Sequence, residues 1–294
     1  MTAAAAPASG WVRAMPAVFV LIWSTGFIVA RYAMPYAPPL KFLAVRYALS
    51  VLCFLVWVRL ARVSWPRERA QWGHLAVTGI LMQAGYLGGV WAAVRAGMGS
   101  GLVALLVGIQ PVLTAVWLSM RGGAINGRQW AGLALGFAGL VLVVLRKLEQ
   151  GGEVSALNMS LAVMALLSIT AGTLYQKRFV APCDVRAAGA IQLAAAFVAS
   201  VPFALLEADS VQWNAYSIGA MAWSVLALSL GGSSLLYMLI QRGTATAVTS
   251  LLYLVPPCTA LMAWLLFAEP VTVPTLIGIG MTAVGVSLVV RGER

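Results

Sequence analysis

The chain has 294 residues, of which 62% are hydrophobic and only 9% are charged, and its mean hydropathy is +0.92. A soluble protein of this length needs a charged shell, and so few charged residues cannot cover one. The formal net charge of +11 comes from basic residues at the ends of apolar segments. They lack the clustering of a nucleic-acid-binding surface, so we expect no nucleic acid among the partners.

Apolar segments recur along the chain, and each is long enough to cross a hydrocarbon core of about 30 Å as a helix of about 20 residues. Short turns with charge, proline or glycine separate them. We therefore predict an all-α protein embedded in membrane lipid, with ten transmembrane helices. The predicted helices are 14–32, 40–60, 72–94, 101–120, 129–146, 157–178, 187–206, 216–240, 246–267 and 273–290.

The basic residues predict the orientation, because cytoplasmic loops carry an excess of Lys and Arg. With the N-terminus inside, thirteen of the 19 basic residues fall on the inner side and five on the outer side, and Arg46 lies within the second helix. We predict that both termini are cytoplasmic. The expected location is a plasma membrane of the bacterial inner-membrane type.

A shift of 146 residues aligns the two halves of the chain without a gap. The aligned pairs include Gly97 and Gly243, Pro111 and Pro257, Gly132 and Gly278, and Gly139 and Gly285. Each half then holds five helices, and an odd number makes the second copy enter the membrane upside down. We predict two inverted repeats, residues 1–148 and 149–294, which is the design of many secondary transporters with a midplane substrate site.

Three segments carry a family resemblance. Segment 243–290 has paired prolines within a helix, a glutamate directly after that helix, and a last helix with spaced glycines. Segment 38–46 ends in an arginine that follows a Pro-containing loop, and segment 21–27 reads Leu-Ile-Trp-Ser-Thr-Gly-Phe. These features resemble the EamA-type repeat of the drug/metabolite transporter superfamily, and the chain is most similar to the YddG-type aromatic amino-acid exporters. The resemblance implies ten helices, inverted repeats and export.

All eight acidic residues fall in loops, at helix ends or in the tail. Ionisable groups in mid-membrane usually mark ion pathways or proton relays. Their absence argues against pairing with lipophilic cations and against a carboxylate-based proton exchange. Arg46 is the deepest basic residue, and we interpret it as an interfacial arginine bonded to nearby carbonyls. We find no catalytic constellation, metal-ligand spacing or cofactor motif, so we expect no enzyme, metal or cofactor.

Polar and aromatic side chains occur at similar depths in several helices. A shift of 146 residues places Ser229 on Gln83, and Ser168 and Tyr175 share one helical face. Contacts between helices could use such residues, but their clustering favours a cavity lining. The predicted substrate-binding residues are Trp23, Gln83, Tyr86, Gln110, Ser168, Tyr175, Ser229 and Tyr253.

Three prolines lie inside apolar segments: Pro111, Pro256 and Pro257. A proline in a helix removes one backbone hydrogen bond and kinks the helix, and the freed carbonyl needs a neighbour or a wet cavity. We predict hinges whose carbonyls are available to an ammonium group. A static kink satisfied by packing is the alternative.

Together these patterns predict a secondary transporter that exports aromatic and other neutral amino acids and related metabolites by alternating access. Its small-molecule substrate would be neutral or zwitterionic. A drug or nucleobase efflux transporter is the alternative with the same fold. A membrane-embedded enzyme or receptor is the alternative of another class, and the enzyme is disfavoured because no His, Asp or Glu lies in mid-membrane.

Overall fold

The computed structural model describes residues 10–121, 126–149, 154–242, 251–268 and 271–291. Within these ranges ten helical segments and no strands are found. They are α1 (Gly10–Ala33), α2 (Pro39–Leu60), α3 (Arg69–Arg95), α4 (Ser100–Met120), α5 (Gly127–Glu149), α6 (Ala156–Phe179), α7 (Val185–Leu206), α8 (Ala215–Gln241), α9 (Val255–Phe267) and α10 (Val273–Arg291). The predicted start of the ninth helix, residues 246–250, lies outside the described residues.

The helices have the length and surface of membrane-spanning segments. By length and composition, seven of the described helices can cross a membrane, and Val255–Phe267 and Val273–Gly285 are shorter apolar helices. Large apolar side chains stand on the outer surface, such as Leu60 at 77% and Leu206 at 81% exposure. Such a surface is stable only where the surrounding solvent is lipid. The chain is an all-α integral membrane protein.

Helices α5 and α10, which occupy corresponding places in the two halves, pack along each other. A Cβ atom added at Gly139 would lie 2.7 Å from the carbonyl oxygen of Gly278, and one added at Gly285 would overlap the carbonyl oxygen of Gly132. The earlier residue of α5 meets the later residue of α10, so the two helices are antiparallel. Glycine permits this close approach because it has no side chain.

Two further contacts between helices correspond to each other under the shift of 146 residues. Gly26 on α1 faces Leu228 on α8, and Gly172 on α6 faces Met82 on α3. A shift of 146 residues converts the first pair into the second. Contacts between helices therefore follow the internal repeat that the sequence predicts, while the boundary between residues 148 and 149 stays a prediction.

The orientation can be tested with reporters fused after Arg294. We expect a fluorescent reporter to be active there and a periplasmic phosphatase to be inactive, because the excess of basic residues holds this end in the cytoplasm. Insertion of the same reporters into the loop at residues 207–214 is the matched control and should give the opposite pattern. Phosphatase activity after Arg294 would contradict the predicted orientation.

Candidate functional site

The middle of α3 and the middle of α8 are both wound as π-helix. The π segments are Ile80–Gly85 in α3 and Ser224–Gly232 in α8, and a shift of 146 residues places the first within the second. They contain Gln83 and Ser229. Segments of π-helix are rare and are frequent at functional sites. Two predicted binding residues therefore lie on backbone that departs from the regular α-helix.

A small cavity lies where α1, α2, α3 and α8 meet, and we call it the central cavity. Its walls include Trp23, Arg46, Gln83, Tyr86, Trp91 and Ser233. It encloses about 20 Å³, which is room for about one water molecule. This space is too small for an amino acid, so binding of a larger molecule requires the helices that line it to move apart.

An aromatic pair forms one wall of the central cavity. The rings of Trp23 and Tyr86 are stacked, with centroids 6.2 Å apart and planes inclined by 5°. Phe19 packs against Trp23 with a centroid distance of 5.2 Å and supports its position. Such flat faces attract other rings and, through their negative face, cations.

Gln83 presents an unpaired acceptor beside this pair. It is 5% exposed, and its Nε2 donates to Ser233 Oγ at 3.3 Å. The Ser233 hydroxyl donates in turn to the carbonyl of Leu228, which fixes the orientation of the amide. Gln83 Oε1 is buried and has no hydrogen-bond partner within the described residues. An unpaired buried acceptor costs about 1–3 kcal/mol, so this oxygen favours a ligand that brings a donor.

Gln110 repeats this arrangement beside a second small cavity of about 10 Å³, which shares Trp23 and Tyr86 with the first. The side chain of Gln110 is fully buried, and its Nε2 donates to Thr173 Oγ1 at 3.0 Å. Its Oε1 finds no partner in the part of the chain that the structure describes. The aromatic pair thus separates two cavities, each with an amide oxygen left unpaired.

Arg46 lies in the wall of the central cavity, and the interfacial interpretation was wrong. Only 2% of the residue is exposed, because α2 packs along α7 and also contacts α8. Its Nε donates to Ser229 Oγ at 3.0 Å. The sequence places Arg46 within the second helix, as the structure does, but the direction in which its side chain points depends on the packing. The available sequence signal was the shift of 146 residues, because it places another polar residue, Gln192, at the position of Arg46.

Two other predicted residues lie away from the central cavity. The hydroxyl of Ser168 would stand 2.7 Å from a Cβ atom at Gly85, so Ser168 belongs to the contact between α6 and α3. Tyr175 lies 2.9 Å from His74 through its hydroxyl and ring Nδ1, and it lines a separate cleft of about 640 Å³ between α4 and α6. The side chain of Tyr253 lies outside the described residues.

The EamA-like transporter family model matches this chain twice, over residues 14–145 and over residues 157–291. The chain belongs to the EamA-like transporter family. The resemblance found in the sequence is thereby confirmed, and this family consists of membrane transporters and not of enzymes.

Several curated proteins resemble this EamA-like transporter along nearly their whole length. "Uncharacterized transporter YvbV" of Bacillus subtilis (strain 168) is 28% identical over 93% of this chain and 89% of that protein. "Uncharacterized inner membrane transporter YedA" of Escherichia coli (strain K12) is 26% identical over 93% and 88%. "Probable amino-acid metabolite efflux pump" of the same strain is 23% identical over 94% and 93%. A solved structure, 17% identical, superposes with a TM-score of 0.70 over 93% of this chain and 94% of that chain, and shows the same fold.

In this EamA-like transporter α4 is broken where the sequence predicts a hinge. Its two α-helical parts are Ser100–Val107 and Gln110–Met120, and Pro111 lies in the first turn of the second part. A proline fits there because the first turn of a helix needs no hydrogen bond from its nitrogen.

The other predicted hinge is at the start of α9. Pro256 lies in the first turn of α9, after a short 3₁₀ turn, and Pro257 follows it. A Cβ atom at Gly108 would lie 2.6 Å from Cγ of Pro256, so the breaks in α4 and α9 pack against each other. The structure brings the two breaks together beside the second small cavity.

On the outer side of the predicted orientation, Glu207 joins the end of α7 to the start of α2. Its two carboxylate oxygens accept hydrogen bonds from the backbone N–H groups of Leu40 at 3.0 Å and Lys41 at 2.7 Å. Lys41 returns hydrogen bonds from its Nζ to the carbonyls of Glu207 and Asp209, each at 2.6 Å. A carboxylate is stabilising at a helix N-terminus, and this one comes from the other half of the chain.

Arg95, at the end of α3, adds a second connection on the same side. Its Nη2 pairs with Asp209 Oδ2 at 3.1 Å, and its Nη1 donates to the carbonyl of Met34. We call Lys41, Arg95, Glu207 and Asp209 the outer clamp. The outer clamp ties helix ends of the first half to the α7–α8 loop of the second half.

Proposed function

We propose that this protein is a secondary exporter of amino acids, aromatic and other neutral ones, and of related small metabolites, by alternating access through the central cavity. The observation that supports this most is the composition of the wall, where a stacked aromatic pair adjoins the unpaired amide oxygen of Gln83. The pair suits an aromatic or apolar side chain, and the amide oxygen suits an ammonium group. Trp23, Gln83, Tyr86 and Gln110 are the proposed binding residues.

Two further observations support this substrate class. No acidic residue lines the central cavity within the described parts of the chain, and a buried lipophilic cation would need one. One of the relatives is named a probable amino-acid metabolite efflux pump. The paired breaks of α4 and α9 supply hinges that would let the closed cavity widen, with Pro111, Pro256 and Pro257 as their fixed points.

Purified protein in liposomes tests the proposal. We expect exchange of radiolabelled phenylalanine, tryptophan, leucine and threonine between the lumen and the bath, above the background of empty liposomes. Cytosine and a lipophilic cationic dye in the same assay represent nucleobase and drug efflux. Transport of either compound with no movement of any amino acid would overturn the proposal.

Changing Gln83 to leucine should raise KM for these amino acids by about 10- to 100-fold, because a hydrogen bond to a charged group contributes about 1.5–3 kcal/mol. Leucine has a similar volume, so the fold should persist, as a melting curve in detergent would show. Ser160→Leu on the exposed face of α6 is the control for an added apolar side chain and should transport normally. An unchanged KM in Gln83→Leu would return Gln83 to a role in helix packing.

A further inference from the structure

The guanidinium of Arg46 is buried, and none of the described residues supplies a counter-charge to it. Among the described residues, Nη1 finds no hydrogen-bond partner and no carboxylate accepts a bond from this side chain. The hydrogen bond found there runs from Nε to the Ser229 hydroxyl. Arginine stays protonated in proteins. A buried and unpaired charge is costly in a membrane protein, and such groups mark substrate or ion pathways.

The other half of the chain shows that packing does not require this charge. Position 192 corresponds to position 46 under the shift of 146 residues, and it holds a glutamine. Gln192 is also buried, and its Nε2 donates to Gln176 Oε1 at 3.4 Å. Helices α2 and α7 pack along each other, and they carry Arg46 and Gln192 at corresponding positions. A neutral amide is therefore compatible with the packing of this helix pair at one of the two positions. The charge at Arg46 therefore calls for an explanation beyond helix packing.

Arg46 faces the same central cavity as Gln83 and the Trp23–Tyr86 pair. The central cavity is thus lined by a guanidinium with a free donor, an amide oxygen with a free lone pair and an aromatic surface. A guanidinium fits the two oxygens of a carboxylate, and an amide oxygen accepts from an ammonium group. Those are the two charged groups that every free α-amino acid carries on one carbon atom.

We propose that Arg46 binds the carboxylate of the transported molecule, and that the substrate class is the free amino-acid zwitterion and not its amine, amide or ester. This inference rests on the proposed function and deepens it by naming the group that must be present. Entry of the carboxylate would supply the missing counter-charge, so binding would be favoured by relief of an unpaired charge. An uncharged amide of the same shape would leave that charge unpaired.

The test compares phenylalanine with phenylalaninamide and phenethylamine as substrates in liposomes. We expect the wild-type protein to prefer phenylalanine, and Arg46→Gln to lose about 10- to 100-fold in kcat/KM for phenylalanine with little change for the amide. Arg46→Lys should recover part of the preference because it keeps the charge without the fork. Arg59→Gln, at the exposed end of the same helix, is the matched control and should keep the wild-type preference.

Two results would overturn the inference. One is an equal loss for phenylalanine and its amide in Arg46→Gln, which a purely structural arginine would give. The other is a wild-type protein that moves the acid and the amide equally well, and this result is informative even if Arg46→Gln does not fold.

If the wild type moves no amino acid at all, the proposed function fails while Arg46 can still be tested. Thermal shifts with phenylacetate and phenylacetamide then report carboxylate binding directly. Equal shifts with the two compounds would overturn the carboxylate site. A larger shift with phenylacetate that is lost in Arg46→Gln would support it independently of amino-acid transport.

Discussion

Changing Gly285 to alanine should destabilise the protein, although alanine is the better helix former. The new Cβ atom would overlap the carbonyl oxygen of Gly132 and would lie 2.6 Å from the backbone nitrogen of Gly136. These are backbone atoms of α5, so they cannot move aside as a side chain can. Forcing an extra group into a packed interface costs about 1–3 kcal/mol or more. That cost exceeds the helix preference of alanine over glycine, which is about 1 kcal/mol.

Gly280 on the same helix supplies the control. A Cβ atom there meets nothing within 4 Å, so Gly280→Ala should be neutral or slightly stabilising. Melting curves in detergent and the elution profile from size-exclusion chromatography measure both variants. The same exchange on one helix is thus expected to lower stability at position 285 and not at position 280. A Gly285→Ala protein as stable as Gly280→Ala would mean that α5 and α10 are not in close contact.

Linking position 95 to position 209 should nearly abolish transport. In the alternating-access proposal the outer side must open to release substrate, and the Arg95–Asp209 ion pair joins the two halves there. The experiment replaces the native cysteines Cys53, Cys183 and Cys258 with alanine and then introduces Arg95→Cys with Asp209→Cys. A bifunctional methanethiosulfonate of suitable length would join the two thiols through disulfide bonds and hold the outer side shut. A reducing agent should cleave those disulfide bonds and restore activity.

Two controls distinguish the effect of the cross-link from the effect of modifying the cysteines. A monofunctional reagent of the same chemistry on the same double variant should leave most of the transport, because it modifies both positions without joining them. Each single cysteine variant treated with the bifunctional reagent should likewise stay active. Full transport in the cross-linked double variant would show that the outer clamp does not have to separate.

The helices and their repeat were predictable because lipid imposes a simple rule on the chain. Every spanning segment must be apolar and long, and its ends collect charge, so ten segments stand out in the sequence. The repeat was visible because close helix contacts need glycine at fixed places, such as Gly139 and Gly285. These properties depend on local sequence and on one shift along the chain.

The candidate site was predictable only in part, because it depends on where each helix face points. Trp23, Gln83 and Tyr86 meet at one cavity as their shared depth suggested. Ser168 has a similar depth but turns toward Gly85. The π turns in α3 and α8 change the rotation of everything after them, and hydrophobic periodicity carries no signal for a single wide turn. Arg46 was misread for the related reason that its burial comes from neighbouring helices.

Arg46 and Gln192 occupy corresponding positions in the two halves but differ in charge, and this difference bears on how such a chain can have arisen. Two separate five-helix subunits of identical sequence, assembled in opposite orientations in the membrane, would have to carry the same residue at both places. The assembly would then bury two arginines, or it would bury two glutamines and leave the central cavity without a positive charge. When the two copies form one polypeptide, each half can acquire its own substitutions. Position 46 can then hold arginine while position 192 holds glutamine. We therefore expect that residues 1–148 expressed alone would not pair with a second copy of themselves to give an active carrier.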